Sequence, residues 1–310
     1  MTKVLFETYA RGKLLITGEY AVLDGALALA VPVQRGQSLH AQTSAPTGCL
    51  HWRALEEQGH CWLEATISLR DFEVRETNDP TTAAKLQKLL QAARQQNPNF
   101  LTNEPNAAVQ TRTDFPRAWG LGTSSTLVAA VAKWAAVNPY RLLADSFGGS
   151  GYDVACAYAS GPILYRRNPD GAPEVHPVTF HPPFAGQLYF VYLGQKQDSR
   201  AGISRYRAVA GEAQTLAAAL STLTEQALRA DTLREFEQVL ETHEQRISEA
   251  LQLPQAKDVY FKNYWGAVKS LGAWGGDFVL ATSARTPEET RAYFNDLGFQ
   301  VFIPWNELAL

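Results

Sequence analysis

The chain has 310 residues, 45% hydrophobic and 19% charged, a globular composition with room for two domains or one large one. A net charge of −3 offers no basic face for nucleic acid. Cys49, Cys61 and Cys156 lack metal-ligand spacing and leave one thiol over, which reads as free thiols in a reducing compartment.

The first residues break their apolar run with charges, so no signal peptide is expected. No window offers about 18 consecutive apolar residues, so neither is a membrane span. A cytoplasmic protein is the expectation. Strand-like runs open the chain: "KVLFETYA", "KLLIT" and "ALALAVPV". Residues 38–74 continue as β structure with polar breaks. A helix is predicted over 81–96, where Leu86, Leu89, Leu90 and Ala93 share one face and Asn97-Pro98 ends the pattern. "AAVQTRTD" reads as a strand, 124–137 as a helix and "PYRLLADSF" as a shorter one. In the second half "QLYFVYLG" is a strand. Helices are predicted over 204–229, 232–251 and 258–271, then a strand in "GAWGGDFVLATS", a helix in "TPEETRAYFNDLG" and a closing strand in "FQVFIPW". Such mixing favours a two-lobed α+β architecture.

Four stretches could carry chemistry. "RAWGLGTSSTLVAAVAKWAAVNP", residues 117–139, sets Thr123, Ser124, Ser125 and Thr126 between a glycine turn and an apolar helix. Gly120 and Gly122 permit close backbone approach, and a helix N-terminus favours phosphate. Capping a core helix explains one hydroxyl but not four. Neither the Walker A pattern nor the dinucleotide fingerprint is present. "RGKLLITGEYAVLDGALALAVPV", residues 11–33, is taken alone a β element with a turn. "FGGSGYDVACA", residues 147–157, delivers Asp153 through glycines. An aspartate there is a cap or turn residue or a catalytic carboxylate. "KSLGAWGGDFVLATS", residues 269–283, holds a glycine-rich loop with Gly272, Gly275 and Gly276, weak evidence by itself.

Together and in this order the four resemble the GHMP kinase superfamily, named for galactokinase, homoserine kinase, mevalonate kinase and phosphomevalonate kinase. The resemblance spans nearly the whole chain. "GKLLITGEYAVLDG" is similar to the first motif, "GLGTSST" to the phosphate loop and "GAWGGDF" to the third motif. "GSGYDVACA" is similar to the segment with the catalytic aspartate in the mevalonate and phosphomevalonate branches, and its Gly-Tyr-Asp-Val-Ala form resembles the bacterial GYDIA-type subgroup. The resemblance implies a lobe like the second domain of ribosomal protein S5 over residues 1–165 and a ferredoxin-like lobe over 166–310. It implies transfer of the ATP γ-phosphate to a small molecule, with Mg²⁺.

By the same resemblance Gly120, Leu121, Gly122, Thr123, Ser124 and Ser125 hold the triphosphate. Ser124 also meets Mg²⁺. Asp153 is the base or orienting carboxylate, and Lys13 offsets charge on the transferring group. Glu19, Tyr20, Ser150, Gly151, Lys196, Arg200, Gly272, Gly275 and Gly276 are the expected substrate-side residues. Trp274 departs from the third motif, where glycine is usual. The acidic Mg²⁺ ligand of mevalonate kinases falls on Leu142, with Asp145 the acid nearby. "GEY" lies between two branch patterns, while "GSGYDVA" and the Gly-Gly-Asp of "GAWGGDF", ending at Asp277, lean toward phosphomevalonate as acceptor. Lys196, Arg200 and Arg205 suit a phosphorylated acceptor or form a solvated charged loop. A mevalonate kinase, a sugar kinase and a non-catalytic metabolite-binding relative remain alternatives. A small-molecule substrate, no nucleic acid or membrane partner, and a monomer or homodimer complete the expectation.

Overall fold

The structure is a computed structural model. It describes residues 3–44, 48–102, 104, 106–169, 171–194, 199–209, 213–272, 274 and 277–310, with the backbone alone at 199, 200 and 209. Two compact units share the chain. Unit 1 comprises Met1–Gly12, Arg35–Arg117 and Leu121–Tyr158; unit 2 comprises Lys13–Gln34, Ala118–Gly120 and Ala159–Leu310. The chain thus changes unit after Gly12, Gln34, Arg117, Gly120 and Tyr158, where the sequence reading cuts it once, after residue 165.

In unit 1 the strand order is β5-β4-β3-β6-β2, with β1 also on β2. These strands are β1 (Val4–Leu15), β2 (Ala28–Gln42), β3 (Cys49–Leu55), β4 (Cys61–Ser68), β5 (Val74–Thr77) and β6 (Ala107–Thr113). β3 and β6 run parallel, while β2–β6, β3–β4 and β4–β5 are antiparallel. Alternation works as expected of a half-buried strand: Leu50, Trp52 and Ala54 of β3 point inward. Helices α1 (Pro80–Gln96), α2 (Thr123–Ala135), α3 (Pro139–Ser146) and α4 (Tyr152–Tyr158) add Leu86, Leu90, Val128, Val131, Leu142 and Val154 to the same core. α1 starts where Asp79 accepts the Thr82 N–H, with proline at its first position.

In unit 2 the first residues of β2 pair with β7 (Ile163–Arg166), which pairs with β8 (Glu174–Pro177). A second, smaller sheet has the order β10-β11-β9-β12, all antiparallel. Its strands are β9 (Leu188–Tyr192), β10 (Val268–Leu271), β11 (Phe278–Thr282) and β12 (Phe302–Pro304). The helices are α5 (Ser199–Val209), α6 (Ala213–Arg229), α7 (Leu233–Leu251), α8 (Ala256–Tyr260), α9 (Pro287–Asp296) and α10 (Trp305–Leu308). A capping box at Thr232 and Glu235 opens α7. The expected mixed α and β architecture with a sheet-rich lobe and a smaller sheet is the one found.

One element differs from the sequence reading. The helix expected over 258–271 is the short α8, a turn and strand β10. Phe261, Tyr264 and Val268 do share one apolar cluster, so the helical period is real but a turn produces it. Gly266 sits so close to Thr282 that any Cβ would strike its carbonyl, which seats the chain beside β11. Of the helix expected over 204–229, residues 204–209 lie in α5 and 213–229 are α6; residues 210–212 lie outside the described residues. The residues around Asp153 form helix α4, with Asp153 in its first turn.

Candidate active site

The hydroxyl run begins α2. Gly120 has φ 66° and Gly122 φ 98°, left-handed values that a side chain rarely adopts. Gly122 is the N-cap and offers no side chain, so no side-chain cap occupies the helix start. The first backbone donor inside the helix with a carbonyl partner is Thr126, whose N–H donates to the Gly122 oxygen at 2.9 Å. The four hydroxyls then divide. Ser125 is buried and donates to the Gly122 oxygen at 2.8 Å; Thr126 is buried and donates to Gln37 Oε1 at 2.7 Å. Thr123 is half-buried and Ser124 exposed. Leu121 is buried as an anchor under the turn. The run thus keeps Ser124, and in part Thr123, toward solvent at an uncapped helix start.

Asp153 lies in the first turn of α4, half-buried, where its Oδ1 accepts the Val154 N–H at 2.9 Å. An acid suits a helix N-terminus. Ser150 is half-buried and Gly151 buried just before it. All of these except Gly120 belong to unit 1.

Unit 2 holds the first motif. The Lys13 ammonium donates to the Gly120 oxygen at 2.8 Å, so the lysine and the first glycine of the loop are joined. Glu19 and Tyr20 turn inward, 2% and 7% exposed. Glu19 Oε1 lies 2.5 Å from the ammonium of Lys269, itself 1% exposed. Around this pair stand His243, whose Nε2 accepts the Gly18 N–H at 2.8 Å, and Glu244, which accepts from Ser270 N–H and Oγ at 3.1 and 2.8 Å. Burial pushes the Glu19 carboxyl up to about 7 although Lys269 pulls the other way. Burial also raises Glu244, and burial with the Lys269 charge holds His243 well below 6.5. An accepting Nε2 and a depressed pKa agree on a neutral imidazole protonated at Nδ1. Glu19 therefore has internal partners.

Tyr20 has φ 59°. Its hydroxyl accepts the Trp274 backbone N–H at 2.8 Å, its ring stacks on Tyr206, and a Cβ on Gly202 would come within 2.5 Å of its oxygen. The Trp274 indole donates to the Pro254 oxygen at 3.0 Å. Trp274 thus packs down onto the first motif. Gly272 is half-buried at φ 73° with open space where a Cβ would point. Gly275, Gly276 and Lys196 fall outside the described residues, as does the side chain of Arg200. Arg205 binds the Leu251 oxygen at 2.8 Å, at the C-terminus of α7. Leu142 is buried, and Asp145 lies 3.8 Å from Arg141 and 3.3 Å from Gln96.

The residues present fit a triphosphate: uncapped helix N–H groups after two left-handed glycines suit anionic oxygens. They also fit Mg²⁺. Among the described residues no cluster of three metal-ligating side chains exists, and this ion needs only one or two protein oxygens beside phosphate and water.

The sequence reading passed over Lys269, His243 and Glu244, and used Asp277 only as part of the Gly-Gly-Asp that leans toward the phosphomevalonate branch. Lys269 stands just before the third motif and Asp277 inside it, so both stood in view. The partner of Lys269 lies 250 positions away, a pairing no local pattern announces.

No family model and no curated protein matches the chain. Solved structures do. Mevalonate kinase from Methanococcus jannaschii is 12% identical, with 94% of this chain and 95% of that one covered at a TM-score of 0.69. Phosphomevalonate kinase from Streptococcus pneumoniae, in complex with phosphomevalonate and AMPPNP, is 16% identical over 96% and 99% at 0.68. Galactokinase from Lactococcus lactis, with galactose, is 13% identical over 99% and 93% at 0.67. These structures are small-molecule kinases, and this chain shares their fold across nearly its full length. Among the described residues no helix is long and apolar enough to cross a membrane.

Proposed function

We propose that the protein is an ATP-dependent small-molecule kinase of the GHMP type, with phosphomevalonate as its acceptor. One observation carries the reading: Ser124 stands exposed at a helix start that no side chain caps, behind Gly120 and Gly122, in a chain with the fold of known kinases. The backbone N–H groups of residues 123–125 would hold phosphate oxygens, and the Ser124 hydroxyl would be a ligand for Mg²⁺. Lys13, fixed on the Gly120 carbonyl, supplies positive charge as the phosphoryl group transfers. Asp153 orients the acceptor oxygen or takes its proton. Mg²⁺, when bound, neutralises charge on the phosphates. Phosphoryl transfer requires mostly such positioning and charge stabilisation.

The "GSGYDVA" segment supports phosphomevalonate as the acceptor. The test is ADP release measured over mevalonate, phosphomevalonate, homoserine and galactose. Turnover with phosphomevalonate above the others supports the full proposal. Turnover with mevalonate or galactose alone retains a kinase and discards the acceptor. Metabolite binding without ADP release discards catalysis.

A further inference from the structure

A carboxylate to which the sequence reading gave no site role stands beside the first glycine of the phosphate loop. Asp277 follows the third glycine-rich segment with φ 31°, a strained value for a residue with a side chain. Its backbone is held from two sides. Its carbonyl accepts the Leu193 N–H at 2.8 Å. The next residue, Phe278, packs edge-on against Trp119 at 5.6 Å, while the Tyr192 hydroxyl donates to the Ala118 oxygen at 3.0 Å. The result sets the Asp277 carboxylate against the Cα of Gly120: any Cβ on that glycine would run into it. Gly120 therefore has an ammonium on its oxygen, from Lys13, and a carboxylate on its other side.

Beside the Lys13 ammonium, the Asp277 carboxylate weakens the attraction of this end of the loop for a bare triphosphate, because like charges repel. A divalent cation reverses that sign, since it attracts both. Neither Leu142 nor Asp145 is placed for this task. Leu142 is buried and apolar, and Asp145 is engaged by Arg141 and Gln96 on the surface of α3.

We propose that Asp277 is the acid that makes nucleotide binding at this loop depend on a divalent cation, directly or through water on the ion. The proposal rests on the kinase reading and gives a role to a residue that the sequence reading used only to choose the acceptor branch. It also gives a reason for the left-handed glycine at 120, which leaves room for the carboxylate.

The test is ATP affinity measured by calorimetric titration, once with chelator and once with saturating Mg²⁺, for the wild type and Asp277→Asn. Asparagine is close in shape and tolerates left-handed backbone. The expected result is a loss of about 10-fold or more in MgATP affinity, with metal-free ATP bound as well as before or more tightly. Equal losses in both conditions would show a merely structural role and overturn the proposal, and so would two unchanged affinities. Should Asp277→Asn fail to fold, Asp277→Glu serves: it keeps the charge but moves it by one methylene. Metal-free affinity is then expected to stay at the wild-type value while MgATP affinity falls, and equal changes overturn the proposal. A wild type that binds ATP in neither condition refutes the phosphate-loop reading itself. A wild type that binds ATP equally with and without metal refutes only the role of Asp277.

Discussion

Four adjacent hydroxyls look alike in sequence and have different work in the structure. Thr126 holds α2 to β2 through a buried hydrogen bond to Gln37, and Ser125 closes the first turn on Gly122. Ser124 does neither and is exposed. Thr126→Val strips the buried Gln37 oxygen of its donor, so it should cost about 1–3 kcal/mol of stability and leave the KM for ATP within about 2-fold, since nothing on the ligand side has changed. Ser124→Ala should do the opposite. An exposed substitution moves stability by no more than about 0.5 kcal/mol, while loss of a group on the metal should lower kcat/KM for ATP by about 10- to 100-fold. Thermal melts and ATP kinetics on the two variants decide the matter. Matching effects on both readouts would refute this division of labour. The count of hydroxyls was legible in the sequence. Their directions were not, because direction depends on where Gln37 lies, some 90 residues away.

Among elements, β10 shows how far a local pattern reaches. Phe261, Tyr264, Val268 and Leu271 keep helical spacing, yet all four residues of β10 are buried. A strand buried on both faces shows no alternation to reveal it. Burial of Lys269 on that strand is what gives Glu19 a partner and ties the first motif to α7 and β10. By contrast α1 and α9 were legible because their caps and prolines are local. The ion pair yields a prediction with a sign. Burial raises Glu19 in the folded state, to about 7, above the ordinary 4.5. The folded form thus holds the proton more tightly, and stability falls as pH rises from 4.5 toward 7. Removing the ammonium with Lys269→Met deletes the interaction that restrains this shift, so the window extends above 7. Glu244, raised by burial and also restrained by Lys269, adds in the same direction. The stability lost in Lys269→Met should therefore be greater at pH 8.5 than at pH 7, by up to about 1.4 kcal/mol per pH unit for each carboxyl. Both values lie above the His243 range, since that group is pushed well below 6.5 and stays neutral. Denaturant melts at the two pH values measure the difference. A loss independent of pH would mean that Glu19 and Glu244 do not sense the ammonium.

At the scale of the whole molecule, order along the chain carried more than any single stretch. Each motif alone was an ordinary turn or cap, and their sequence order pointed to a two-lobed kinase fold that the solved structures share. The interleaving of the units was not legible, because it depends on where β1 and β2 change unit, midway through continuous strands. That interleaving distributes the proposed machinery. Ser124 and Asp153 are carried by unit 1, while Lys13 and Gly120 are carried by unit 2 and are bonded to each other. The two proposed catalytic groups should then fail in different ways. The Oδ1 of Asp153 is engaged by its own helix, where it accepts the Val154 N–H. Asp153→Asn keeps that acceptor and removes only the charge and the basic oxygen. It should lower kcat by about 10²–10⁴-fold, or about 3–5 kcal/mol of barrier, with ATP affinity nearly intact. Lys13→Met removes a charge and also releases the Gly120 carbonyl, so kcat and ATP affinity should fall together. Steady-state kinetics combined with equilibrium nucleotide titration separate the two patterns. Near-normal turnover in Asp153→Asn would remove it as the base. An unchanged ATP affinity in Lys13→Met would mean that the hold on Gly120 does not shape the phosphate loop.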